Sequence, residues 1–153
     1  MIKRIFSIVM ALLLAISVVN VFANESKEAS LLFNDIGNSW AVEEITEMAE
    51  KGILRGRGEG SFAPDASVSR AEFCTMIFNT LKLSPISYAD VYPDVNSKHW
   101  YADTVQTLYE LDIIDKTVFN DNFSGDTPIT REEIASLLVR GYGFFLDFLK
   151  EFR

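Results

Sequence analysis

The second half of this 153-residue chain repeats the first. Trp40 and Trp100, Ile45 and Val105, Met48 and Leu108, and Ile53 and Ile113 stand 60 residues apart. After one inserted residue the spacing becomes 61, and Phe62 pairs with Phe123, Asp65 with Asp126, Val68 with Ile129, Arg70 with Arg131, Glu72 with Glu133 and Phe73 with Ile134. Upstream, Phe33 and Asp35 pair with Tyr92 and Asp94 at a spacing of 59. Type-matched positions in this order mark a repeat architecture, in which one small unit is copied and neighbouring copies bury each other's apolar faces.

Each copy reads as helix, loop, helix. In the first, Ile45, Met48, Ala49 and Gly52 follow the spacing of a buried helical stripe, with Glu43, Glu44, Glu47 and Glu50 on the wet face. Gly52 ends that helix, because it can take the left-handed conformation that satisfies the last carbonyls. Gly56, Gly58 and Gly60 make a turn, and Phe62 closes it as a core plug. The second helix of each copy opens on a capping box, Ser69-Arg70-Ala71-Glu72 and Thr130-Arg131-Glu132-Glu133. There a hydroxyl accepts from the amide three residues on, and the Glu reaches back to the cap's own N–H. Phe73, Ile77, Phe78 and Leu81 form one apolar stripe, and Ile134, Leu138, Gly141, Tyr142 and Phe145 the other. The second stripe is continued by Phe148, Leu149 and Phe152 in an amphipathic extension over 144–153, placed to act as a cap on the fold or as a dimer seam.

Composition removes whole classes of function. A formal charge of −8 argues against a surface for nucleic acid phosphates. One Cys, Cys74, and one His, His99, leave no disulfide and no zinc cluster, and no cofactor is expected. Asn120, Asn122, Ser124 and Gly125 fit the start of a calcium loop, but its twelfth position is Arg131, where a bidentate acid is required. Glycoside hydrolysis needs paired carboxylates; Asp35 and Asp65 both recur in the second copy as scaffold positions, so catalysis is not expected.

Lys3 and Arg4 precede an uncharged run from Ile5 to Val19 that closes on Val21-Phe22-Ala23, which reads as a secretory signal peptide over 1–23. The competing reading is a retained membrane helix over Ile5 to Ala23, and only then would the membrane be a partner. Cleavage at Ala23 takes the net charge from −8 to −10. The remainder divides into a linker (24–32), repeat one (33–83), a linker (84–91), repeat two (92–143) and the extension (144–153).

Phe33-Asn34-Asp35-Ile36, Trp40-Ala41, Gly52-Ile53, Gly56, Gly60 to Asp65 and Val68 to Phe73 together resemble one S-layer homology repeat. The second copy, from Tyr92-Pro93-Asp94-Val95 through His99-Trp100-Tyr101-Ala102 to Ile129 to Ile134, is similar but degenerate. Asp112 replaces the Gly before Ile113, and Gly125 replaces the Pro before Asp126. The resemblance implies an all-α fold of tandem helix-loop-helix repeats, with two of the usual three and hence an incomplete pseudo-threefold bundle. It implies a noncatalytic module, secreted and held at the cell wall or S-layer, that binds secondary cell-wall polysaccharide, often pyruvylated, in grooves between repeats. The groove candidates it implies are Asp35, Trp40, Gly60, Ser69, Arg70 and Glu72, then Asp94, Trp100, Thr130, Arg131 and Glu133.

Chemistry supports Arg70 and Arg131 beside the resemblance, since each stands in the first turn of a helix, where open N–H groups favour an anion and a guanidinium adds a forked pair to a carboxylate. Trp40 and Trp100 either stack on sugar or plug the base of a helix, and core packing is the expectation. Ser69, Thr130, Glu72 and Glu133 are expected as caps, and Cys74 as a small buried hydrophobe. The alternative function is a structural protein that self-assembles as a homo-oligomer or pairs with another protein of this kind at the cell surface.

Overall fold

A computed structural model describes residues 32–151. The signal segment 1–23, most of the first linker and Phe152 lie outside the described residues. Helices α1 (Val42–Glu50), α2 (Arg70–Thr80), α3 (Ala102–Glu110), α4 (Lys116–Phe119) and α5 (Arg131–Glu151) follow in order, and among the described residues there are no strands, only two isolated bridges. The all-helical expectation holds. The chain falls into two compact units, one ending at Pro64 and the other starting at Asp65, so the division cuts through the first sequence repeat.

In the first unit Phe33, Ile36 and Ile45 are buried, with Val42, Ala49 and Phe62 packed against them. The ring of Phe62 lies 5.2 Å from that of Phe33. Helix α1 turns Ile45 and Thr46 inward, and Thr46 Oγ1 donates to the Val42 carbonyl at 2.7 Å. Met48, expected on the buried stripe, is exposed. Thr46 is inward instead because its hydroxyl is satisfied within the helix and costs nothing unpaired on burial. Gly52 ends the helix as expected: at φ 71° it lets its own N–H reach the Ala49 carbonyl and that of Ile53 reach Met48.

The second unit has the larger core, in which Ala71 and Cys74 of α2, Val105 and Leu108 of α3, and Leu137 of α5 close around Tyr92, Phe119 and Phe123. Burial pushes the Cys74 thiol well above its ordinary range, as fits an inert core residue. Residues 84–91, read from sequence as a linker, are strapped onto α3. The N–H groups of Ile86, Tyr88 and Ala89 donate to Thr107 Oγ1, Asp103 Oδ1 and Gln106 Oε1 at 2.8, 3.0 and 2.9 Å. That strap explains why polar Gln106 and Thr107 are buried: each has a backbone donor to satisfy it.

Both copies bend the backbone at the same places. Gly52 and Asp112, Glu59 and Asn120, and Ala63 and Ser124 all have φ between 50° and 71°, at the spacings of 60 and 61 found in the sequence. Asp112 closes α3 as Gly52 closes α1, with Ile113 N–H on the Leu108 carbonyl at 2.9 Å. The loss of that glycine leaves the turn unchanged.

Candidate functional site

Asp35 and Asp94 do one job in their two copies. Asp35 accepts from Ser61 Oγ (2.7 Å), Phe62 N–H (2.9 Å) and Ala63 N–H (2.8 Å). Asp94 accepts from Phe123 N–H (2.9 Å) and Ser124 N–H (2.6 Å). The amides of Phe62 and Ala63, with the Ser61 hydroxyl, hold the Asp35 carboxyl below its usual range. Each carboxylate is thus the staple that lets its loop pass through a left-handed residue, Ala63 or Ser124. Gly60, at φ 73°, belongs to the same turn, where Ser61 N–H returns to the Gly58 carbonyl at 2.9 Å.

Both capping boxes form. Ser69 Oγ accepts from Glu72 N–H at 3.2 Å while Ser69 N–H donates to Glu72 Oε2 at 2.8 Å. Thr130 and Glu133 repeat the exchange at 3.2 and 2.9 Å.

The two arginines, equivalent in sequence, are placed differently. The start of α2 is pressed against the loop of the second copy, with the N–H groups of Arg70 and Ala71 donating to the carbonyls of Thr127 and Gly125, each at 3.0 Å. The Ile129 N–H donates to the Val68 carbonyl at 2.9 Å. Arg70 follows its backbone inward: Nη2 meets Glu133 Oε1 at 2.6 Å, Nη1 donates to the Phe123 carbonyl at 3.0 Å, and the guanidinium lies 5.2 Å from the Phe119 ring centre. The paired side chains are only 14% and 10% exposed. Burial works against the Glu133 charge, but the Thr130 amide and the Arg70 guanidinium outweigh it and leave the carboxyl below its usual range. The open N–H groups and free guanidinium expected at Arg70 are therefore taken up inside the fold. Arg131 is exposed at the start of α5 and makes no ion pair among the described residues.

Trp40 is 93% exposed and Trp100 64% exposed, so the expectation of core packing fails for both. Each indole stands just before its helix, and the next residue is the one turned inward, with Tyr101 only 5% exposed. Tyr101 lies 5.5 Å from Phe123 and so close over Gly125 that a Cβ there would fall 2.6 Å from the ring. The glycine that replaces proline in this copy makes room for that tyrosine. His99 stacks on Tyr101 at 5.1 Å and accepts from Asn96 N–H at 3.2 Å.

Sequence reasoning missed the ion pair of Arg140 with Asp115, at 2.8 Å. Asp115 caps α4 by accepting from the N–H groups of Thr117 and Val118 at 2.9 and 3.1 Å. The Thr117 hydroxyl and Arg140 help hold its carboxyl down at about 2. No group of acids, His and Cys among the described residues could hold a metal ion.

Residues 32–74 and 91–135 match the S-layer homology domain family, and the chain belongs to it. It is 32% identical over 80% of its length to an exoglucanase of Acetivibrio thermocellus, of which it spans 11%. It is also 32% identical to the surface-layer 125 kDa protein of Lysinibacillus sphaericus, over 72% of this chain and 9% of that one. With a cellulosome-anchoring protein of Acetivibrio thermocellus it shares 32% identity over 74% of its length, against 26% of the relative's. In each case the chain corresponds to a small fraction of the relative.

Proposed function

We propose that this chain is an exported, noncatalytic module that holds to the bacterial cell wall by binding secondary cell-wall polysaccharide. The observation that carries the reading is the exposure of Trp40 and Trp100 at matching places in the two copies. Trp40 stands in water and Trp100 touches the core only through the edge of Tyr101, at 5.3 Å, whereas an exposed indole face offers a platform for a sugar ring. The relatives named for surface-layer and cellulosome-anchoring roles support the setting. The match to an exoglucanase covers 11% of that protein, so it supports a module carried by enzymes rather than an enzyme. Arg131 is the cation we assign to a carboxylate on the glycan, such as a pyruvate ketal, through a charge-assisted forked pair. Asp35, Asp94, Gly60 and the four capping residues shape the loops and helix starts around these contacts.

Sedimentation with purified sacculi, before and after removal of the polysaccharide, tests the reading. Replacing both Trp40 and Trp100 with Ala should release the folded protein from the wall. Arg131→Ala should weaken binding about tenfold, with only partial recovery in Arg131→Lys. Unchanged binding by the double Trp variant, or equal binding to stripped sacculi, rejects it.

A further inference from the structure

Helix α5 turns Glu133, Leu137 and Gly141 toward its own unit and leaves another side bare. On that side Leu138, Tyr142, Phe145 and Leu149 follow one another at steps of four, three and four, with Val139 and Leu146 beside them. These six side chains are between 39% and 73% exposed. No charge interrupts them: Arg140 reaches away to Asp115, and Asp147 pairs with Lys150 off the stripe. Where α5 crosses α2 the stripe opens into an apolar cleft of about 310 Å³ between Ile77 and Leu81 on one wall and Leu138, Tyr142 and Phe145 on the other. Gly141 forms its floor. A Cβ there would meet only Ile77 Cγ2 at 3.6 Å and Leu81 Cδ1 at 3.9 Å, so the packing of α2 on α5 does not demand the glycine.

We propose that this face is the contact between two copies of the chain, with their α5 helices antiparallel about a two-fold axis near Phe145. Area and register both point to a second copy. The six side chains offer roughly 600–700 Å² of surface, most of the ~800 Å² per partner that a stable interface buries. Gly141 lies four residues before Phe145 and Leu149 four after it, about 6 Å along the helix in each direction. An antiparallel pair centred on Phe145 therefore drops each Leu149 into the notch of its partner, while a parallel pair stacks Leu149 on Leu149 and leaves both notches empty. The face is self-complementary, as a two-fold contact requires. A membrane surface is the poorer occupant, because interfacial helices carry a basic polar face and this chain has a formal charge of −8. The contact is independent of the glycan reading, and its assay contains no wall.

The test uses the chain as exported by its expression host. Sedimentation equilibrium should give a dimer at micromolar concentration. Phe145→Glu, which places a charge on both sides of the axis, should raise the dissociation constant on the order of 100-fold with helix content unchanged. Val139→Glu, at the most exposed position of the face, should weaken the dimer in the same direction if Phe145→Glu disturbs the fold. Phe145→Cys should cross-link under mild oxidation while Lys116→Cys, on α4, should not, and buried Cys74 gives no background. The proposal is overturned by a monomer at high micromolar concentration, by a dimer indifferent to both Glu variants, or by equal cross-linking of the two Cys variants. Binding of a monomer to neutral or anionic phospholipid vesicles through this face overturns it as well.

Discussion

Arg70 and Arg131 occupy the same place in the same motif, and only one faces water. The difference lies in what packs against each motif among the described residues. The start of α2 meets the loop 123–129, whose carbonyls take its amides, and Glu133 takes its guanidinium. Arg70→Ala should then act first on stability. It strands the Glu133 carboxylate in a nearly buried position, which costs about 2–4 kcal/mol in a denaturant titration, and Glu133→Gln in the same background should recover part of it. Loss of wall binding by Arg70→Ala with unchanged stability would point back to a ligand contact. Both caps are legible from four residues each, because a capping box is a local exchange. The inward turn of Arg70 is not, because its partners lie 53 and 63 residues away. The two Trp escape sequence reasoning for a related reason: in a turn before a helix, periodicity does not say which of two adjacent residues, Trp40 or Ala41 and Trp100 or Tyr101, points in.

At the level of elements, the repeat is kept in backbone angles even where the residue type has drifted. Asp112 holds φ 54° at the end of α3, where the first copy has Gly52. Aspartate tolerates the left-handed region, but a β-branched residue does not. Asp112→Val should lower stability by about 1–2 kcal/mol, while Asp112→Gly should stay close to the parent, as thermal unfolding can check. Helix existence and order are legible because apolar spacing and caps are sequence-local. The role of 84–91 is not, since Ser, Pro and Asp near its ends look like a free connection until Thr107 and Gln106 are found opposite its amides.

For the molecule as a whole, stability should fall in acid in a predictable window. Asp115 and Glu133 both have carboxyls held below their ordinary values in the fold, so the unfolded chain binds more protons than the folded one. Their contribution is complete above about pH 4–5 and is lost as pH drops through the folded values, near 2 for Asp115. With its pair about a third exposed, Asp115 contributes about 1–2 kcal/mol after screening. Asp115→Asn should flatten the acid limb of a stability profile measured from pH 6 to 2, and a limb unchanged in shape would remove Asp115 from the account. The first unit, with three buried apolar residues, contributes a smaller core of its own.

The seating of the α2 start in the loop of the second copy also bears on how such modules can be cut and joined. Shuffling at the sequence period, between 83 and 92, would part a helix from the carbonyls and carboxylate that complete it. The transferable cassette is out of phase with the repeat: it begins in the loop near Asp65 and carries one copy's second helix together with the next copy's first. Fusions joined in that phase keep the α2 start with the Phe123 and Gly125 carbonyls that meet it, whereas fusions joined in the repeat's own phase part them.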